Sequence, residues 1–144
     1  MIDGEIDNFN ELNYEFSLNA VSQKDLITML YKKYPNSFET FLLGNFAISI
    51  YDTFQNRLTL VRDHFGTKPM YFNFDDKKII FGSEIKLLFE IDQSIKIPNL
   101  EKILNYLCQS KPDHFQTFYK PISSLPPCSK LCFSQEGTSI KEYQ

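Results

Sequence analysis

The feature that most constrains this chain is a switch of hydrophobic period at Gly44. Before it, apolar side chains recur three and four residues apart: Phe9, Leu12 and Phe16, then Leu26, Leu30 and Tyr34. That spacing marks one face of a helix. After it, residues 45–52 alternate, with Phe46, Ile48 and Ile50 set against Ala47, Ser49 and Tyr51. Both sets are largely apolar, so the strand they form needs cover on each side. The pattern predicts an α+β fold, and a four-layer helix–sheet–sheet–helix sandwich supplies the required cover.

Local signals fill in the order of elements. Ser22-Gln23-Lys24-Asp25 reads as a helix cap, and Pro35 ends the helix that follows. Residues 37–43 are expected to form another short helix, closed by Gly44 in a left-handed cap. Thr53-Phe54-Gln55-Asn56 turns the strand at 45–52 into one at 57–63, where Leu58 and Leu60 oppose Thr59 and Val61. A second hairpin joins 70–74 to 79–82 around Asp75-Asp76-Lys77-Lys78. Ser83 is expected to cap a helix bearing Ile85, Leu88 and Phe89, and a further helix spans about 99–108. Pro112, Pro121, Pro126 and Pro127 leave the last third mostly loop, until a hairpin of 130–133 and 139–143 turning at Gly137.

Composition narrows the class. A chain of 144 residues with 42% hydrophobic and 23% charged residues suits one globular domain. Fourteen Phe and eight Tyr with no Trp make a ring-rich core. The net charge of −3 gives no general attraction to nucleic acid or to an anionic membrane. No apolar run is long enough to cross a bilayer, and the acidic start is unlike a signal peptide. Three cysteines, at 108, 128 and 132, fit no disulfide framework, which suits a cytoplasmic setting.

Two runs carry the strongest functional signal: Arg62-Asp63-His64-Phe65-Gly66-Thr67-Lys68-Pro69-Met70-Tyr71, and Gly82-Ser83-Glu84-Ile85-Lys86. Around them, in order, stand Gly4-Glu5-Ile6 with Asn8, Leu42-Leu43-Gly44-Asn45-Phe46-Ala47 through Tyr51-Asp52, Leu125-Pro126-Pro127, and the segment 134–143. Together these blocks resemble the glutamine-hydrolysing domain of the asparagine synthetase family, over essentially the whole chain. The resemblance implies a class II (type 2) glutamine amidotransferase domain of N-terminal-nucleophile hydrolase type, an α-β-β-α sandwich with largely antiparallel sheets. Such a domain uses an N-terminal cysteine thiolate to attack the glutamine side-chain amide, and an oxyanion hole holds the tetrahedral intermediate. No cofactor is implied for this domain. An ATP-dependent synthetase domain or chain is the implied partner, and a homodimer is a further possibility.

The same resemblance places the family's site residues on Asp3, Gly4, Glu5 and Gln23. The oxyanion-hole Asn-Gly falls on Asp3-Gly4, where a carboxylate replaces an amide donor and would repel a developing oxyanion. Glu5 matches the glutamine-contacting Glu, and Gln23 stands where an Asp holds the substrate's ammonium. The nucleophile and the substrate-carboxylate Arg match positions upstream of Met1, so residues 1–144 read as a partial, degenerate domain lacking the nucleophile segment. No catalytic residue and no metal ligand is assigned within it.

Other candidate groups have architectural readings. Arg62 and Asp63 are expected to pair across a turn in which Gly66 supplies a positive φ, and His64 receives no role. Cys108, His114, Cys128 and Cys132 lack metal-site spacing, and no thiol-hydrolase signature surrounds them. Lys32-Lys33 and Lys77-Lys78 read as helix ends and solvated tips. Three functions stay open from sequence: a part of a glutamine-dependent asparagine synthetase, a non-catalytic packing domain of an amide-forming enzyme, or a gene remnant. Glutamine is expected to bind weakly if at all, and no ATP-pyrophosphatase loop is present to support asparagine synthesis.

Overall fold

A computed structural model describes residues 1–109 and 115–143 of the chain. The elements run β1 (Ile2–Ile6), α1 (Phe9–Glu15), α2 (Gln23–Lys33), β2 (Gly44–Asp52), β3 (Arg57–Arg62), β4 (Tyr71–Phe74) and β5 (Ile79–Gly82). Then follow α3 (Ile85–Ile91), α4 (Leu100–Leu107), β6 (Ser123–Ser124), β7 (Ser129–Ser134) and β8 (Gly137–Glu142). A five-stranded sheet has the order β1-β2-β3-β7-β8, and a three-stranded sheet the order β5-β4-β6. Every pairing within them is antiparallel.

The alternation along β2 sets the layers. Phe46 and Ile48 pack with Leu26, Ile27 and Leu30 of α2 and with Leu12 of α1, while Val61 of β3 joins them from the residue opposite Ile48. The other parity, Ala47 with Leu58 and Leu60, packs against Leu131, Met70 and Phe72 between the two sheets. Beyond the small sheet, Ile80 meets Leu88 and Phe89 of α3. The result is the helix–sheet–sheet–helix order that the two apolar faces of β2 require, with three stacked cores.

Several local expectations change. The short helix expected over 37–43 is present as a 3-10 helix at Phe38–Phe41, shorter than expected, and Gly44 does not cap it. Gly44 instead begins β2 at φ +143, where a Cβ would stand 2.2 Å from the Glu5 carbonyl oxygen. Ser83 is not the cap of α3. Glu84 holds that position without a side-chain bond. Ser22 does cap α2, accepting the Asp25 N–H at 3.2 Å. The β7–β8 turn lies at Gln135-Glu136, because Ser134 pairs directly with Gly137. Part of the stretch expected as loop is ordered by Thr117, whose buried hydroxyl donates to the Ile122 carbonyl at 2.7 Å and accepts the Tyr119 N–H.

Candidate functional site

β1 escaped the pattern reading, and it is the strand that carries three of the four candidate site residues. Its register against β2 places Asp3 opposite Ala47, Gly4 opposite Phe46 and Glu5 opposite Asn45. Ser49 donates its N–H to the Met1 carbonyl at 2.9 Å, and Asp7 donates to the Leu43 carbonyl at 2.8 Å. In an antiparallel pair alternate residues turn their main-chain groups to the partner and away from it. The odd-numbered residues therefore face β2, and the main-chain groups of Ile2, Gly4 and Ile6 face the open edge.

Gly4 is required here by space. Its φ is +112, and a Cβ would stand 1.9 Å from the Asn45 carbonyl oxygen. Two residues on, the Ile6 N–H donates to Gln23 Oε1 at 3.2 Å. Gln23 is the first residue of α2, so the Ser22 cap that starts this helix also fixes which side chain reaches β1. Ile2 and Ile6 pack toward the helical layer, so Asp3 and Glu5 project from the other face of β1. Both are exposed.

A loop from β3 to β4 closes on that face. Asp63 is fully buried and its carboxylate accepts three main-chain N–H groups: Phe65 at 3.0 Å, Thr67 at 3.0 Å and Lys68 at 3.1 Å. Burial pushes this carboxyl up, but the donors from Thr67, Lys68 and Phe65 outweigh it and hold it below the ordinary value. Arg62 spans the same loop, donating to the carbonyls of Lys68 at 2.7 Å, Gly66 at 2.6 Å and Leu125 at 2.6 Å. Burial lowers its pKa despite the neighbouring Asp63. The expected Arg62–Asp63 pair does not form, since consecutive residues leaving a strand point to opposite sides. Gly66 does adopt a positive φ, +63.

The loop delivers Thr67 and Lys68 to β1. Thr67 Oγ1 donates to Asn45 Oδ1 at 3.0 Å, and Lys68 Nζ stands 3.3 Å from Asp3 Oδ1. Asn45 and Lys68 are site neighbours that sequence reading did not single out, although both lie in the motif blocks. Asp3, Gly4 and Glu5 thus lie side by side on β1, and Gln23 reaches the same strand at Ile6 from α2. A depression of about 420 Å³ adjoins it, lined by Asp7, Leu43, Gly44, Asn45, His64 and Phe65. The larger cleft, about 490 Å³ with Leu58, Ile79, Phe81 and Phe133 in its wall, opens at the Tyr51 end of β2. Six residues of strand, roughly 20 Å, separate that end from Asn45, so the cleft belongs to a different place on the molecule.

The described thiols lie away from β1. Cys132 is on β7, three strands across the sheet or roughly 14 Å away. Cys128 Sγ donates to the Tyr143 carbonyl at 2.6 Å, and burial pushes its thiol up, which suppresses the thiolate. Cys108 is exposed at the end of α4. His114 lies outside the described residues, and among the described residues no group of three or more His, Cys, Asp or Glu could hold a metal ion.

The profile of the glutamine amidotransferase domain matches residues 1–144, the whole chain. The chain belongs to the glutamine amidotransferase domain family. It is 37% identical over 92 residues to asparagine synthetase [glutamine-hydrolyzing] 2 of Bacillus subtilis, covering 62% of this chain and 12% of that protein. It is 28% identical over 144 residues to putative asparagine synthetase [glutamine-hydrolyzing] 2 of Methanocaldococcus jannaschii, covering 97% of this chain and 28% of that protein. The chain therefore spans only between 12% and 28% of the length of these relatives. Among solved structures, the glutamine phosphoribosylpyrophosphate amidotransferase of B. subtilis superposes on all of this chain and 28% of its own, with TM-score 0.68 and 13% identity. At that identity the likeness speaks for the fold alone. This amidotransferase domain has the α+β, N-terminal-nucleophile hydrolase-type architecture with antiparallel sheets, and it is like the domain of asparagine synthetases.

Proposed function

We propose that residues 1–144 form an amidotransferase-type domain that does not hydrolyse glutamine by itself and serves as a packing platform for an ATP-dependent, amide-forming partner domain or chain. Hydrolysis by acyl transfer needs a thiolate to attack the side-chain amide and donors to hold the oxyanion. The observation that carries the proposal is Asp3, an exposed carboxylate beside the outward main-chain groups of Gly4 and 3.3 Å from the Lys68 ammonium. An ionised carboxylate supplies no donor at that point. Losing one such donor costs about 100- to 1000-fold in rate. Gln23 adds to the case, since it offers a neutral amide where an ammonium group would need a negative charge, and its oxygen already holds Ile6.

The test is ammonia release from glutamine by purified residues 1–144, measured against a heat-treated control. The expected result is no release above that control. Sustained release would overturn the proposal.

A second reading rests on Lys68. Its ammonium offsets the Asp3 charge and offers N–H donors beside Gly4, so a thiol supplied from outside residues 1–144 would meet a site not wholly lacking in donors. This reading requires that glutamine bind at the β1 edge. The platform reading requires that it not.

A further inference from the structure

The core between the two sheets is not filled at the Tyr51 end of β2. Tyr51, Leu58 and Phe133 form one row across β2, β3 and β7, and Ile79 and Phe81 of β5 face them over the cleft of about 490 Å³. Leu58 is buried, while Ile79, Phe81 and Phe133 are only partly covered. Deeper in this layer rings meet rings: Phe72 stacks on Phe74, and Phe74 touches Phe133. Phe81 and Tyr51 pair with no other ring among the described residues. The Tyr51 hydroxyl donates to Asn56 Oδ1 at 2.5 Å, which fixes its ring at the opening. Two rings that border a gap and lack an aromatic neighbour suit a flat aromatic ligand, which offers each an edge or a face. An opening of this size, with apolar walls and a few polar groups at its mouth, has the form of a small-molecule site.

The mouth selects the rest of the ligand. The turn between β4 and β5 brings Asp76, Lys77 and Lys78 to it. Asp75 holds that turn, accepting the N–H groups of Lys77 at 2.8 Å and Lys78 at 2.9 Å, and Lys78 Nζ is engaged by Asp92 at 2.8 Å. Asp76 and Lys77 remain, since neither side chain forms a hydrogen bond or salt bridge among the described residues. One acid and one base, consecutive in a turn, match a head that carries an ammonium and a carboxylate on the same carbon. An aromatic acid alone would bring its carboxylate toward Asp76, and an aromatic amine its ammonium toward Lys77.

We propose that this cleft is a binding site for a free aromatic amino acid, with its ring between Phe81 and Tyr51 and its zwitterionic head on Asp76 and Lys77. The site lies roughly 20 Å along β2 from Asn45 and is independent of the reading given to Asp3 and Gln23. Asp76 and Lys77 are exposed, so the head contributes specificity more than affinity. A ligand of roughly 15 non-hydrogen atoms is expected to bind with a dissociation constant on the order of 1 mM.

L-Tryptophan is the probe, because the chain has no Trp and the ligand's indole emission can be followed against it. Titrating residues 1–144 into L-tryptophan should move that emission to shorter wavelength and saturate. Tryptamine, which lacks the carboxylate, and indole-3-propionate, which lacks the ammonium, should each bind about threefold more weakly. Asp76→Asn combined with Lys77→Gln should weaken L-tryptophan binding roughly five- to tenfold, and Tyr51→Leu about threefold or more. All three positions are exposed, so these variants should keep the circular dichroism of the parent chain. Glutamine carries the same head without a ring and should not displace L-tryptophan. Absence of a saturable change overturns the proposal. So does equal binding of the three indoles, displacement by glutamine, or binding that Tyr51→Leu and the double variant leave intact.

Discussion

Gln23 Oε1 accepts the main-chain N–H of Ile6 at 3.2 Å, so the first residue of α2 closes one of the outward-facing positions of β1. This bond connects the helix layer to the strand edge that carries Asp3, Gly4 and Glu5. It also means that the Gln23 side chain has a structural task. Replacing Gln23 with Ala should cost about 1 kcal/mol, the net worth of one such hydrogen bond, read as a shift in urea midpoint with unchanged slope.

The same residue offers a chemical test. Converting Asp3→Asn and Gln23→Asp together places an amide donor and a carboxylate at two positions that the proposed reading holds responsible for the lack of a glutamine site. The double variant should bind glutamine roughly tenfold more tightly than the parent chain, equivalent to about 1.4 kcal/mol, measured by titration calorimetry. Equal, undetectable binding in both would show that the edge lacks more than these two groups.

Gly4 is the most sterically constrained position of the site. A methyl group there would meet the Asn45 carbonyl oxygen at 1.9 Å, and φ of +112 is unfavourable for any L side chain. Gly4→Ala should destabilise the domain by about 2 kcal/mol or more, with amide exchange accelerated first along β1 and the start of β2.

Asp63 predicts a dependence on pH. Its folded pKa lies below its unfolded value, so it adds stability above the unfolded pKa and loses that contribution as pH falls through the folded one. Asp63→Asn should cost about 2 kcal/mol at neutral pH, because three main-chain donors lose a charged acceptor. The gap between the two proteins should narrow as pH falls below the ordinary carboxylate range, near 4. A constant gap would show that the charge is not what holds the loop.

The buried pair of Glu39 and Lys130 ties the 3-10 turn to β7. Glu39 is only 2% exposed and, among the described residues, its Oε2 has no hydrogen-bond partner. Removing the cation with Lys130→Met should cost about 3 kcal/mol by leaving that carboxylate uncompensated, and adding Glu39→Leu should recover much of the loss. A double-mutant cycle on thermal unfolding measures both.

Much of the fold was legible because single residues met one demand each. The alternation of Phe46, Ile48 and Ile50 against Ala47 and Ser49 required two covering layers, and Ser22 announced α2. β1 was harder to see: Ile2-Asp3-Gly4-Glu5-Ile6 does alternate, but a glycine and two acids lower its strand propensity. Only pairing with β2 reveals it. Gly44 looked like a helix cap because the need for a positive φ is visible in sequence while its reason, the close approach of Glu5, is not. β6, two residues long, falls below any pattern. For the candidate site, the motif blocks pointed to Asp3, Gly4, Glu5 and Gln23 as expectations, whereas the Lys68–Asp3 and Thr67–Asn45 contacts depend on a loop that Asp63 folds from within.

The most direct test of the central claim is a titration of ¹⁵N-labelled residues 1–144 with glutamine, following the amide signals of Gly4, Glu5 and Gln23. A domain whose edge no longer holds glutamine should show no saturable shift up to about 10 mM, so that any affinity is weaker than roughly 3 kcal/mol of binding free energy. Saturable shifts at these three residues with a dissociation constant below about 1 mM would contradict the platform reading and favour a working glutamine site.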